Sequence, residues 1–575
     1  MAASSSSSFS SRNCRYYYYQ LPHLPDECWE SIFKHIIDPL DLESISLVSR
    51  QFHSFVNRTR THLTISDHVI PHLPALLRRF TALTSIKLTP EINADIDALL
   101  SQIASFDLPS LHSLDISDQR TFPSHGLRQF SQKFPTLKSL YCSYTKPDLV
   151  LISECFPNLE EIDVSYTPVF SDADLQEKAL ASGLKKLRKV NLSGTYIIGD
   201  SSIFILCQNC KFLEELVVVC QTSCLCRIGF ANAIRMTPQL RSFSVSNCNV
   251  TSELIDALVS LKGLTCLDLS YARISDDALC VLAEQGLPLR KLSLPGCKGC
   301  GYGGISCLLR KCNNLQYLDL QETEFLNDQC VIGLSLLLGN LKVVKLSENR
   351  ELTDLSLFAI LRNCPFITEI KMEKTGIGKH KLREDCLVVN SHVKCLYLAR
   401  NSWLNDASVT MLASVCPNLE MMDLSICHGV SKGAIEVLWS CRKIQRMNLA
   451  HFGYDMFPFQ FRVCFDVPTL FVLNLSGLGI SNEDLSFISK SCYKLKELEL
   501  TSCHKITTMG VKQAVKNCKQ LRTITLSFCR KVSAGVVAWM VSARPSLRQI
   551  RPPPQFHFDE GQRDLFLRRG CFVGQ

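Results

Sequence analysis

The chain has 575 residues, 46% of them hydrophobic and 20% charged, with a formal net charge of +8 from 62 basic and 54 acidic side chains. That composition suits a large packed core and not a disordered chain, and so mild a charge over this length does not suggest the basic stripe of a nucleic-acid binder. No apolar run reaches about 18 residues, which argues against a membrane-spanning helix.

The first twenty residues, MAASSSSSFSSRNCRYYYYQ, are Ser-rich and lack the apolar core of a secretory signal, so residues 1–20 read as a disordered tail. Twenty-nine cysteines without such a signal point to reduced thiols in an intracellular protein of the nucleus and/or cytoplasm. The sequons at Asn57, Asn191, Asn249 and Asn474 are then unused.

From residue 24 the pattern is helical. Pro25 suits a first helical position, and Asp26 and Glu27 favour the positive end of the dipole. Cys28, Trp29, Ile32, Phe33, Ile36 and Ile37 make an apolar stripe that Asp38-Pro39 ends. Asp41 suits the cap of a second short helix carrying Leu42 and Ile45, and a third face follows at Val48, Phe52, Phe55 and Val56. Three such helices make too small a core to stand alone and need a partner or a neighbouring domain. Leu24-Pro25, the Ile32-Phe33 pair, Asp41-Leu42 and Leu47-Val48-Ser49 with Phe52 resemble the F-box. The resemblance implies an F-box domain over residues 21–65. It would dock on the Skp-type adaptor of cullin-based (SCF) ubiquitin ligases through Leu24, Pro25, Ile32, Phe33, Leu47, Val48, Ser49 and Phe52. Through the adaptor it would join a cullin and a RING protein.

Beyond it a repeat takes over. In residues 495–529, Leu495, Leu498 and Leu500 form L-x-x-L-x-L, Cys503 follows, and after a helix-like GVKQAVKNC the cycle restarts at Leu521, Ile524, Leu526 and Cys529. First anchors recur at positions 83, 111, 137, 159, 187, 213, 240, 264, 289, 315, 341, 367, 393, 419, 444, 470, 495, 521 and 547. This gives about 19 units spaced by roughly 26 residues. Each unit pairs a short strand with an amphipathic helix, as in ISDDALCVLAEQG at 274–286. The expected fold is an α/β solenoid with parallel strands on its concave side and helices on its convex side. The period resembles the cysteine-containing class of leucine-rich repeat, and the whole layout resembles the F-box/leucine-rich-repeat family. That family implies a horseshoe array over residues 66–550, which holds a target on its concave face or rim, and a C-terminal cap or tail at 551–575. Residues 379–393 and 450–470 break the pattern, the latter with Phe457, Phe459 and further aromatics.

Several apparent chemical motifs dissolve in this frame. Seven cysteines (Cys210, Cys312, Cys364, Cys416, Cys441, Cys492 and Cys518) stand three residues before an anchor, and five (Cys248, Cys297, Cys427, Cys503 and Cys529) stand eight after one. A small, readily buried side chain at fixed repeat positions explains them. Cys207-x-x-Cys210 and Cys297-x-x-Cys300 have zinc half-site spacing but use frame cysteines; Cys220, Cys224 and Cys226 fall outside the frame. GCGYGG at 299–304 satisfies G-x-G-x-x-G with Asp319 about 20 residues on, yet Asp319 belongs to the next repeat's strand and no doubly wound sheet is available. No catalytic, metal or cofactor constellation is found.

The residue between the second and third leucines should face the concave side. Asp115, Asp163, Asp268 and Asp319 give way there to Lys345, Lys371 and Tyr397, with Lys291, Tyr317 and Arg400 on nearby columns. Tyr317, Lys345, Lys371 and Tyr397, with Phe457 and Phe459, are the candidate substrate contacts. The expected function is that of a non-catalytic substrate-recognition subunit of an SCF-type ubiquitin ligase, with no nucleic-acid or membrane partner, leading its target to proteasomal degradation. The alternatives are a repeat scaffold for protein interactions or a small-molecule-sensing receptor with no ligase role.

Overall fold

The computed structural model describes residues 24–36, 39–90, 92–167, 183–194, 200–219, 228–380, 388–430, 433–450, 466–557 and 560–574. The chain divides into two compact units, Met1–Leu159 and Glu160–Gln575.

The first unit opens with three helices, α1 (Asp26–Lys34), α2 (Pro39–Ser46) and α3 (Arg50–Thr59). Asp26 and Glu27 occupy the first turn of α1 and Lys34 its last, as the helix dipole favours. Helix α2 begins at Pro39, two residues before the expected cap Asp41, because proline at a helix start loses no hydrogen bond. Ser49 caps α3, its hydroxyl accepting from the Phe52 amide at 3.1 Å. Phe33, Phe55 and Val56 form a small core, with Trp29, Ile36, Leu42, Ile45 and Phe52 packed around it. Arg58 on α3 donates to Glu30 on α1 at 2.9 Å. Four parallel strands follow: His62–Ile65, Ser85–Leu88, Ser113–Asp115 and Ser139–Tyr141.

The second unit continues the motif from Glu161–Asp163 to Phe572–Val573. Adjacent strands are parallel and residue-matched, as in Lys291↔Tyr317, Leu292↔Leu318 and Ser293↔Asp319. The central strand residue points at the helices: Leu267, Leu292, Leu318, Val344, Ile370 and Leu396 are at most 2% exposed. Helices return from one strand to the next and bury one stripe, as Asp276–Glu284 does with Leu279, Leu282 and Ala283. Their caps come from the residue before each helix, including Ser275, Asn327, Asn405 and Ser481.

Among the described residues there are 21 strands. Nineteen follow the leucine anchors, and one more lies at each end. The N-terminal extra strand, His62–Ile65, falls within the segment read as F-box and pairs with Ser85–Leu88. The C-terminal one, Phe572–Val573, pairs with Gln549–Arg551 and follows helix Glu560–Arg568, so the segment read as a cap or tail adds to the sheet. Both escaped the leucine pattern because Arg60 and Gly570 stand where the anchor leucine belongs.

Candidate functional site

The expected adaptor-binding residues divide into distinct groups. Leu24, Ile32, Leu47 and Val48 are 43%, 45%, 74% and 69% exposed, and Pro25 is exposed beside them. Phe33 is 3% exposed. It sits in a ring cluster with Trp29, Phe52 and Phe55 at centroid distances of 5.9, 5.3 and 6.1 Å. Phe52 lies 4.8 Å from Trp29. Phe33 and Phe52 therefore hold the helices together, and Ser49 is the α3 cap. Leu47 and Val48 form the turn that follows α2, their amides bonded back to Ser44 and Ile45 at 3.2 and 3.1 Å, with their side chains left in solvent.

On the sheet, the residues of the expected substrate column do different things. Asp268, Asp319, Asp423, Asn448 and Asn474 each accept from the amide two residues on, at 2.9–3.2 Å. These side-chain turns lead the chain off the strand, so the acidic and amide members serve the backbone. Lys and Tyr side chains cannot make this bond through a carbonyl or carboxylate oxygen. Lys345, Lys371 and Tyr397 are register partners on successive strands, about 4.8 Å apart.

The structure brings Tyr317 and Lys345 together: the Lys345 ammonium is 5.2 Å from the Tyr317 ring centre and 3.8 Å from Asp319. The Lys291 ammonium is 5.0 Å from the same ring. The Tyr317 hydroxyl donates to Asp319 at 3.2 Å, and burial, then the nearby Asp319 charge, push its phenol above the ordinary range. Lys371 lies 4.3 Å from the Tyr397 ring centre and 3.4 Å from Glu369. The result is a row of cations held over aromatic faces. The partners Asp319 and Glu369 were missed in the sequence, although the register alone aligns Asp319 with Lys345. Phe457 and Phe459 lie outside the described residues.

The frame cysteines have a definite role. The thiols of Cys297, Cys427, Cys503 and Cys529 donate to Leu269, Leu398, Leu475 and Leu500 carbonyls of the preceding repeat, at 3.0, 3.1, 3.2 and 2.9 Å. Asn349 and Asn401 fill the same position and donate in the same way, to Leu320 and Met372 at 2.8 Å. Burial pushes the thiols of Cys297, Cys427 and Cys503 up to about 12, which keeps them protonated donors. The second series caps helix ends, as at Cys312, Cys364, Cys416, Cys492 and Cys518. In the first zinc-like pair, Cys207 and Cys210 are buried and likewise pushed up to about 12. Cys220, Cys224 and Cys226 lie outside the described residues. Among the described residues no group of three or more His, Cys, Asp or Glu is placed to hold a metal, and no helix is long and apolar enough to cross a membrane.

The glycine-rich turn is a packing device. The Gly301 amide donates to Asp276 at 2.6 Å, and a Cβ on Gly304 would lie 2.7 Å from the Asp276 Cα. The glycines let helix Tyr302–Lys311 sit against the first turn of Asp276–Glu284, which leaves that amide no phosphate to receive.

Residues 21–65 match the family model described as F-box-like. The N-terminal helices are an F-box-like domain. After it comes a leucine-rich-repeat-like sheet. Among curated proteins the chain is similar to a transport inhibitor response 1-like protein of Oryza sativa subsp. japonica, 26% identical over 293 residues, which cover 44% of this chain and 51% of that protein. It is also similar to the BTB/POZ domain-containing protein FBL11 of Arabidopsis thaliana, 24% identical over 475 residues, 71% of this chain and 46% of that protein. The chain thus spans about half the length of the curated relatives it matches. Among solved structures, the yeast Rad7 and Elc1 complex aligns over 78% of this chain and 92% of that one, at 16% identity and a TM-score of 0.43. Among the described residues of the F-box-like segment, Leu24, Ile32, Leu47 and Val48 are the large apolar side chains left exposed.

Proposed function

We propose that this protein is the substrate-recognition subunit of an SCF-type ubiquitin ligase in the nucleus and/or cytoplasm. The F-box docks on a Skp-type adaptor and through it on a cullin and a RING protein, and the repeat sheet holds a target protein destined for the proteasome. The observation that carries this reading is the apolar set Leu24, Ile32, Leu47 and Val48, 43–74% exposed on a three-helix domain whose aromatic core is already filled. Four large apolar side chains left in water on so small a domain call for a protein partner. The chain itself performs no chemistry in this scheme. It raises the effective concentration of a ubiquitin-charged enzyme near the target's lysines. The row Tyr317, Lys345, Lys371 and Tyr397 is the proposed target contact.

Co-purification of the full chain with the adaptor and cullin tests the proposal. Leu47→Asp with Val48→Asp is expected to abolish adaptor capture while leaving the repeat array folded, because both side chains already stand in solvent. A wild-type chain that captures no adaptor, or a double variant that captures it undiminished, sinks the reading.

A further inference from the structure

The charge of +8 is not spread along the chain. Residues 466–575 hold 16 Lys or Arg against 8 Asp or Glu, a surplus of 8, so the 465 residues before them balance at 46 against 46. Within this basic end, helices Asn482–Ser491 and Thr508–Asn517 finish side by side. Their last turns and the loops that follow line a cavity of about 630 Å³. Lys490, Lys494, Lys516 and Lys519 stand around it, and among the described residues Asp466 is the one carboxylate in its lining.

None of the four ammonium groups forms an ion pair among the described residues. The sheet lysines differ: Lys345 has Asp319 at 3.8 Å and Lys371 has Glu369 at 3.4 Å. A lysine in a last helical turn is favoured by the dipole, which accounts for Lys490 and Lys516. It does not account for Lys494 and Lys519 in the loops beyond. Stacking of two repeats gathers all four around one hollow, where like charges repel and, among the described residues of the lining, Asp466 alone opposes them.

We infer that this cavity docks a carboxylate-rich segment of a partner protein. Its volume lies within the range of ligand pockets, ~300–1,000 Å³. Flexible ammonium groups act as point charges, without the planar fork that selects one bidentate geometry, and so suit a run of carboxylates in varied poses. A single-stranded nucleic acid would call for several stacking rings along the groove, and among the described residues the lining offers one ring, Tyr493, 38% exposed. The Asn517 amide is already given to Ser489 at 2.8 Å, so recognition rests on charge. This site is independent of the adaptor reading and needs no F-box partner.

Fluorescence anisotropy on the full chain tests it, with a labelled peptide of alternating Asp and Ser, its Asn counterpart, and a single-stranded RNA of equal length. The acidic peptide is expected to bind, with the Asn peptide at least about ten-fold weaker. Lys494→Glu with Lys519→Glu should weaken binding of the acidic peptide by a similar factor. Asp466→Asn should tighten it, and Lys311→Glu, at the matching edge of another repeat, should leave it unchanged. Added salt should weaken it throughout. The opposite sign at Asp466 separates loss of a site from loss of fold, which equal melting temperatures also check. Equal binding of the Asn peptide, indifference to the double substitution, or tighter binding of the RNA overturns the inference.

Discussion

Cys503 shows how a residue's chemistry is set by its place in the frame. Its thiol is fully buried and donates to the Leu475 carbonyl at 3.2 Å, and burial pushes its pKa from the ordinary 9.0 to about 12. A thiol in that state is neither a nucleophile nor a metal ligand. Iodoacetamide labelling read by mass spectrometry should therefore miss Cys297, Cys427, Cys503 and Cys529 in the folded chain and reach them after denaturation. The linkage has a defined sign. The unfolded thiol loses its proton near pH 9 and the folded one near 12, so stability contributed by these thiols is complete below about pH 9 and falls as pH rises through that window. Alkaline melting scans should show the loss, and Cys503→Ala should flatten it slightly. Gly304 is the second instance: Gly304→Ala should destabilise the array by about 1–3 kcal/mol through overpacking against Asp276, measurable by denaturant unfolding.

At the scale of elements, α3 depends on Ser49, whose hydroxyl takes the Phe52 amide. Ser49→Ala should cost the F-box about 1 kcal/mol, while Ser49→Asp keeps a capping oxygen and most of the stability. Hydrogen exchange on α3 distinguishes the two. If adaptor affinity tracks this stability, Ser49 acts by positioning α3; a loss of affinity with Ser49→Asp at unchanged exchange would make it a direct contact. The short strands follow a simpler rule. Their central residue packs under the helices and the flanking residues point the opposite way, so alternation alone assigns Tyr317, Lys345, Lys371 and Tyr397 to the helix-free side of the sheet.

For the whole molecule the ends matter, because a solenoid exposes apolar surface wherever stacking stops. At the C-terminal end Phe556, Phe566 and Val573 are 8%, 2% and 5% exposed, and Phe572–Val573 pairs with Gln549–Arg551. A chain cut after Pro554 should leave that edge bare, melt lower and scatter light in a concentration-dependent way, whereas a true tail would be dispensable.

Sequence by itself determined the period, and with it the parallel register, the nineteen anchored strands and the burial of the frame cysteines, though not the carbonyls their thiols bond. Burial at fixed spacing repeats in every unit and so is written locally. Tertiary structure alone decided which F-box residues fill the core and which face solvent, since Phe33 and Leu47 are both apolar and only packing tells them apart. It also decided that Asp319 and Glu369 neutralise the sheet lysines while Lys490, Lys494, Lys516 and Lys519 share a hollow with no ion pair among the described residues. Those outcomes depend on which side chains meet across neighbouring repeats. A period of roughly 26 residues aligns such side chains, but whether they reach one another depends on how each packs.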